Sequence, residues 1–143
     1  MKEYQSLSHT RWDCKYHVVF IPKRRKQRVF GAMRKQLVEV FHELASHKES
    51  KIVEGHLMPD HIHMCISIPP KYAVSNVVGY LKGKSAITIA RKFAGKRRNF
   101  TGESFWARGY FVSTVGLDEA MVRAYIRNQE QEDERYDQMK MGV

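Results

Sequence analysis

The sequence predicts an α+β domain of the split βαβ kind: a four-stranded antiparallel sheet, two helices on one of its faces, and a further C-terminal helix. Three observations predict it. The chain reads strand, helix, strand, strand, helix, strand, helix. Two of the helices carry apolar stripes at helical spacing. No linker, internal repeat or low-complexity stretch divides the 143 residues, so 1–143 is expected to form one domain.

Trp12 to Pro22 is the first strand. Tyr16, Val18 and Phe20 alternate there with His17, Val19 and Ile21, so both faces carry apolar residues. The run Lys23-Arg24-Arg25-Lys26-Gln27-Arg28 follows, five cations in six residues. Phe30, Met33, Leu37, Val40, Phe41 and Leu44 then fall on one stripe of a helix. Lys51 to Leu57 is a short strand, and Met58-Pro59-Asp60 is a turn. From His61 to Ile68, apolar Ile62, Met64, Ile66 and Ile68 alternate with His61, His63, Cys65 and Ser67, and Pro69-Pro70 ends the strand. The second helix is expected from Val74 to about Ala94, with Val74, Val77, Val78, Leu81 and Ser85 on one stripe. Gly79 and Gly83 weaken it by roughly 1 kcal/mol each, which suggests that they serve close backbone approach to a sheet or to DNA. Gly95 fits its C-terminal stop, and Lys96 to Asn99 is a basic loop. Tyr110 to Val115 is the last strand, followed by Gly116, a hinge candidate. Asp118 caps a third helix that runs through Tyr125 and Gln129. Beyond Glu130 the chain is polar and of mixed charge, and the end is expected to fray. The order of the first six elements is that of ferredoxin-like and RNA-recognition domains.

Lys and Arg exceed Asp and Glu to give a formal net charge of +10. A small domain so charged is drawn to polyanions, and nucleic acid is the expected partner. No apolar run approaches the ~18 residues of a membrane span, and Met1 to His9 holds no apolar signal core. A cytoplasmic protein with no membrane contact is expected. Cys14 and Cys65 form neither a disulfide framework nor a CxxC site, and are read as small buried hydrophobes.

Two spacings carry chemistry. His61-Ile62-His63 puts two imidazoles on one side of a strand, about 7 Å apart along the chain, with Ile62 pointing into the core. Two imidazoles so placed can grip one metal ion, and the turn just before them fixes their register. Tyr125 and Gln129, four residues apart, share a helix face. A tyrosine can act as a nucleophile that forms a covalent intermediate, and a glutamine can offer an amide oxygen to a hard cation. The competing tyrosine, Tyr136, has Lys140 one turn on, which is not a ligand. Lys23, Arg24, Arg25, Lys82, Lys84, Arg97 and Arg98 are candidates for phosphate contacts. The aromatics among the basic runs, Phe93, Phe100, Phe105, Trp106 and Tyr110, either stack on bases or fill the core.

These residues resemble a known family. The motifs Tyr16-His17-Val18-Val19-Phe20-Ile21-Pro22-Lys23-Arg24-Arg25, Pro59-Asp60-His61-Ile62-His63, Leu81-Lys82-Gly83-Lys84-Ser85-Ala86, Phe105-Trp106-Ala107-Arg108-Gly109-Tyr110 and Tyr125-Ile126-Arg127-Asn128-Gln129 are similar to those of single-tyrosine HUH transposases. These belong to the smallest bacterial insertion sequences, and transposase-like proteins associated with repetitive extragenic palindromes share the motifs. The resemblance implies a metal site from His61, His63 and Gln129, with Tyr125 as nucleophile. It implies cleavage and rejoining of single-stranded DNA at hairpin-bearing element ends, through a 5′-phosphotyrosine. It implies Mg²⁺, although two imidazoles by ligand type suit Mn²⁺ or Zn²⁺ better. It implies a homodimer in which the tyrosine helix of one subunit completes the other's site, in a bacterial or archaeal cytoplasm beside the nucleoid. Asp60 either orients an imidazole or serves the turn. A domesticated single-strand nuclease of the palindrome-associated type shares this pattern. So does a metal-dependent hydrolase in which Tyr125 only packs. A non-catalytic nucleic-acid-binding module leaves the two spacings unexplained.

Overall fold

The computed structural model describes residues 5–7, 10–94, 105–115 and 119–140; side chains are described from residue 12 onward, except at 93, 94, 119–123, 125 and 136–140. Four strands form the main sheet: β3 (Lys15–Phe20), β4 (Lys51–Leu57), β5 (Ile62–Ser67) and β6 (Phe111–Thr114). Their order across the sheet is β4-β5-β3-β6, all antiparallel. This is the split βαβ arrangement, with α1 (Gln27–His47) crossing from β3 to β4 and α2 (Val74–Ile89) crossing from β5 toward β6.

Alternation decides which side chains enter the core. Val18 and Phe20 on β3 and Ile62, Met64 and Ile66 on β5 point to one face and are almost fully buried. Phe30, Met33, Leu37, Phe41 and Leu44 of α1 and Val77, Val78, Leu81, Ala86 and Ile89 of α2 cover that face. The stripes read from the sequence are therefore the buried stripes. A methyl group at Gly79 or Gly83 would meet nothing within 4 Å, so among the described residues no close approach to the sheet requires them, and of the two expected uses only approach to DNA is left.

The segment after the second helix closes the core. Phe105 to Ala107 runs beside Ile21 to Lys23, bonded through Lys23 N–H to Phe105 O (2.8 Å) and Ala107 N–H to Ile21 O (2.9 Å). Trp106 meets Phe20 and Phe105 edge-on at 4.8 Å between ring centres, with Phe30 at 5.8 Å, and its Nε1–H donates to Ser85 Oγ at 3.0 Å. Phe105 and Trp106 are thus core residues and not available to stack on bases. Trp106→Ala is expected to cost about 3–5 kcal/mol of stability, read as the shift of a urea unfolding midpoint, because it empties the hub between Phe20, Phe30, Phe41 and Phe105 and removes the bond to Ser85 Oγ.

Three features depart from the sequence reading. The first strand starts at Lys15, and the residues before it form a separate two-stranded hairpin, β1 (Gln5–Leu7) with β2 (Thr10–Trp12). The second helix ends in a π-helical turn, Ala90–Ala94. The third helix, α3 (Glu119–Lys140), does not fray after Glu130 but continues for ten more residues. Its partners explain this. Asp133 Oδ2 accepts from Arg108 N–H at 3.1 Å, Glu130 Oε1 accepts from Gln27 Nε2 at 3.2 Å, and Arg24 bridges to Glu134. Gly95, Arg97, Arg98, Phe100, Gly116 and Asp118 lie outside the described residues, as do the side chains of Phe93, Tyr125 and Tyr136.

Candidate active site

The second face of the sheet carries the histidines. His61 stands at the entry to β5 and His63 inside it, with fully buried Ile62 between them on the opposite face. Met58 N–H donates to His61 O at 2.9 Å and closes the turn that sets this register. Asp60 is more than a spacer: its Oδ1 lies 2.7 Å from His61 Nδ1. An ionised carboxylate only accepts, so Nδ1 carries the proton and Nε2 is the nitrogen with a lone pair to offer.

A third imidazole joins them. His63 Nε2 lies 3.3 Å from His17 Nδ1, with ring centres 5.3 Å apart and planes tilted by 49°. Register accounts for the meeting: Val19 on β3 pairs with His63, and His17 pairs with Cys65, so His17 is diagonal to His63 on the same face. The sequence shows His17 only as one residue of an alternating strand. A small cavity lies here, bounded by His17, Glu54, His56, His63 and Cys65. Cys65 is only partly buried, not the buried hydrophobe expected from the sequence, and that burial pushes its thiol up.

α3 lies on the histidine face. Ile126 is buried with Val19, Ile21 and Ala107 in a second apolar cluster. Val19 is the cross-strand partner of His63. Positions 126, 129, 130, 133 and 134 form the stripe facing the protein, at helical spacing, but only the first is apolar. Gln129, half-buried, lies one turn after Tyr125 on the same flank of this stripe. Burial first, then the charge of Asp60, raises the Glu130 carboxyl above its usual range. Glu130 is bonded to Gln27 at the start of α1, whose Nε2 donates to its Oε1 at 3.2 Å. Within one protomer the tyrosine's helix therefore docks on β3, the strand that pairs with the histidine strand.

Among the described residues no three of His, Cys, Asp and Glu form a metal cluster. Two imidazoles on one side of a strand, one of them with its Nδ1 against the Asp60 carboxylate, are nevertheless a fitting donor pair for a divalent cation. The chemistry of the set fits if an amide such as that of Gln129 is the third donor.

The basic candidates divide. Lys23 is only 6% exposed, and Lys82 turns its ammonium inward, donating to Ala107 O at 2.9 Å and Gly109 O at 2.6 Å. Neither presents a cation to solvent as the sequence reading expected; both hold the Phe105–Tyr110 segment, in which Gly109 adopts a φ of 78°. Arg24 is exposed but bridged to Glu134, Arg25 is exposed, and Lys84 is exposed beside the Tyr80 ring.

Burial pushes the Lys82 amine down to about 8, partly opposed by the charge of Asp133. The unfolded chain binds this proton more tightly, so between about pH 8 and 10.5 the unfolded state carries more protons and stability rises with pH. Relative to Lys82→Met, the parent is expected to gain roughly 1–2 kcal/mol between pH 7 and 9.5 in urea unfolding.

Comparison with known proteins gives the family and the fold. The family described as "Transposase IS200 like" matches residues 10–129. The transposases for insertion sequence element IS200 of Salmonella typhimurium and Salmonella typhi are each 41% identical over 141 residues, 99% of this chain and 93% of theirs. The ISDra2 transposase TnpA of Deinococcus radiodurans is 26% identical over 119 residues, 82% of this chain and 85% of its own. Among solved structures, a candidate transposase from Deinococcus radiodurans superposes with a TM-score of 0.72 at 26% identity, covering 90% of this chain and 98% of its own. A REP-associated tyrosine transposase bound to a REP hairpin shares the fold at a TM-score of 0.54 and 12% identity, over 88% of this chain and 68% of its own. Among the described residues no helix is long and apolar enough to cross a membrane.

Proposed function

The chain belongs to the IS200-like transposase family and is a transposase, and we propose that it cuts and rejoins single-stranded DNA through Tyr125, with His61, His63 and Gln129 holding a divalent cation. The observation that supports this reading is the burial of Ile126 against Val19, the strand partner of His63. It brings the helix of Tyr125 and Gln129 onto the face of the histidines, although 62 residues separate His63 from Tyr125.

The phenol oxygen of Tyr125 attacks the scissile phosphorus. A bond forms from that oxygen to phosphorus as the bond to the 3′ oxygen breaks, and the phenol proton passes by way of solvent to the released 3′-OH. The 5′-phosphotyrosine conserves the ester, so a second 3′-OH can attack it and reseal a strand with no external energy source. A free phenol has a pKa near 10 and is about one part in a thousand ionised at pH 7. Mg²⁺, or Mn²⁺ in its place, would neutralise the diester and polarise it for this attack. His61, His63 and Gln129 are uncharged donors and leave the cation's charge to the phosphate. Asp60 holds His61 in the tautomer that offers Nε2.

Hairpin DNA at the ends of an insertion sequence is the proposed substrate, met in the cytoplasm at the nucleoid. In a protein of the same fold, a REP hairpin is the ligand. Arg25 and Lys84 are the exposed cations proposed to meet its phosphates, and Arg24 is a third once released from Glu134. The proposal includes a homodimer. In the protomer α3 docks on its own sheet, so exchange of the tyrosine helix between subunits must open three ties: Arg24 to Glu134, Gln27 to Glu130 and Arg108 to Asp133. The experiment is incubation with Mg²⁺ and a labelled single strand carrying an element-end hairpin, followed by a denaturing gel. A covalent protein–DNA band is expected.

A further inference from the structure

We infer that His17 is a positioning residue for His63: its Nδ1 accepts the Nε2–H of His63 and thereby turns His63 Nδ1 to the cation. The inference rests on the proposed cation site and deepens it. Its basis is the 3.3 Å contact between the two nitrogens and the diagonal register that makes the two rings neighbours across β3 and β5.

A hydrogen bond between two imidazoles needs one nitrogen to donate and the other to accept. If His63 donates, its tautomer is fixed with the proton on Nε2 and the lone pair on Nδ1. A metal-bound histidine commonly has its second N–H held in this way. The pair His61 and Asp60 shows the same logic with a different acceptor: a carboxylate from the adjacent residue, at 2.7 Å, on Nδ1. The two histidines would thus offer opposite nitrogens, Nε2 from His61 and Nδ1 from His63. That suits their places, one at the mouth of the strand and one inside it. The two rings are also confined, since His17 and His63 are both half-buried. Backbone pairing on both sides of β5 fixes the spacing of their Cα atoms. The neutral acceptor adds no charge to the site.

A 3.3 Å spacing would also let one cation touch both nitrogens directly, with bonds of about 2.1 Å. The test therefore counts imidazoles as well as affinity. Mn²⁺ binding to the full chain is measured by calorimetry for the parent, His17→Phe, His17→Asn and His63→Ala, and electron spin-echo spectroscopy counts the imidazoles bound to Mn²⁺ in the parent. His17→Phe fills the space without an acceptor and is expected to weaken binding about 10–100-fold. His17→Asn keeps an acceptor oxygen near the Nδ1 position and is expected to stay within about threefold of the parent. The parent is expected to show two imidazoles. Binding by His17→Phe equal to the parent's, or a count of three imidazoles, overturns the inference while leaving the cation site in place. Binding by His63→Ala equal to the parent's overturns the site and the inference together. Should His17→Phe fail to fold, nitrogen-15 NMR of the metal-free parent decides: Nε2–H at His63 is expected, and Nδ1–H there overturns the inference.

Discussion

Tyr125→Phe is expected to remove the covalent protein–DNA band and to lower strand cleavage by at least about 10⁴-fold. Loss of a nucleophile in covalent catalysis has costs of that order. The change deletes one oxygen and keeps the ring, so the helix and its docking through Ile126 should survive; circular dichroism and an unchanged unfolding midpoint check this. DNA affinity is expected to stay within about threefold, because the exposed cations that meet phosphates, Arg25 and Lys84, lie elsewhere in the chain. Cleavage that persists in Tyr125→Phe would make the protein a hydrolase with water as nucleophile. Tyr136 is no ready substitute: it lies three turns further along α3, beyond the ties made by Asp133 and Glu134.

Local periodicity made much of this legible. β4 was readable from Lys51 to Leu57, and the buried stripes of α1 and α2 from their apolar spacing, because each signal is contained within one element. His61 and His63 were readable for the same reason: strand alternation alone puts them on one side and Ile62 on the other. The length and docking of α3 were not. The stripe that faces the protein is Ile126, Gln129, Glu130, Asp133 and Glu134, which by composition reads as a solvated surface. Its partners, Arg24, Gln27 and Arg108, are 25 to 110 residues away, and no window of sequence brings them together. Asp133, 5% exposed, lies beside Arg108, a placement that only the tertiary structure reveals.

The role of His17 was hidden by the same limit. Its neighbour is set by the register of β3 against β5, a relation across 46 residues. Lys23 and Lys82 show the opposite error. A cation in a basic run is assumed to face a polyanion, yet the carbonyls of Ala107 and Gly109 take the Lys82 ammonium, and Lys23 is covered. The β1–β2 hairpin left no trace because three-residue strands are too short to show a period.

His61→Ala and His63→Ala are each expected to lower strand cleavage by about 10³-fold, the several kcal/mol that charge neutralisation at a phosphate is worth. DNA affinity should change little. Neither substitution touches what fixes the strand: the turn bond from Met58 to His61 is made by backbone, and Ile62 remains in the core. The measurement is the rate of adduct formation at saturating DNA, with Mg²⁺ titrated. An impaired cation site with intact DNA binding should lower the maximal rate, raise the Mg²⁺ needed for half of it, or both, while the DNA dissociation constant holds. The outcome distinguishes three chemistries when set beside Tyr125→Phe. Loss in all three variants, with binding retained, is the tyrosine strand transferase. Loss in the histidine variants alone is a metal-dependent hydrolase. If the parent forms no adduct and cuts nothing at its own element ends, yet binds them tightly, the histidine face is a nucleic-acid platform. The pairing of His61 with Asp60 would then be a feature of the turn and not of a reaction.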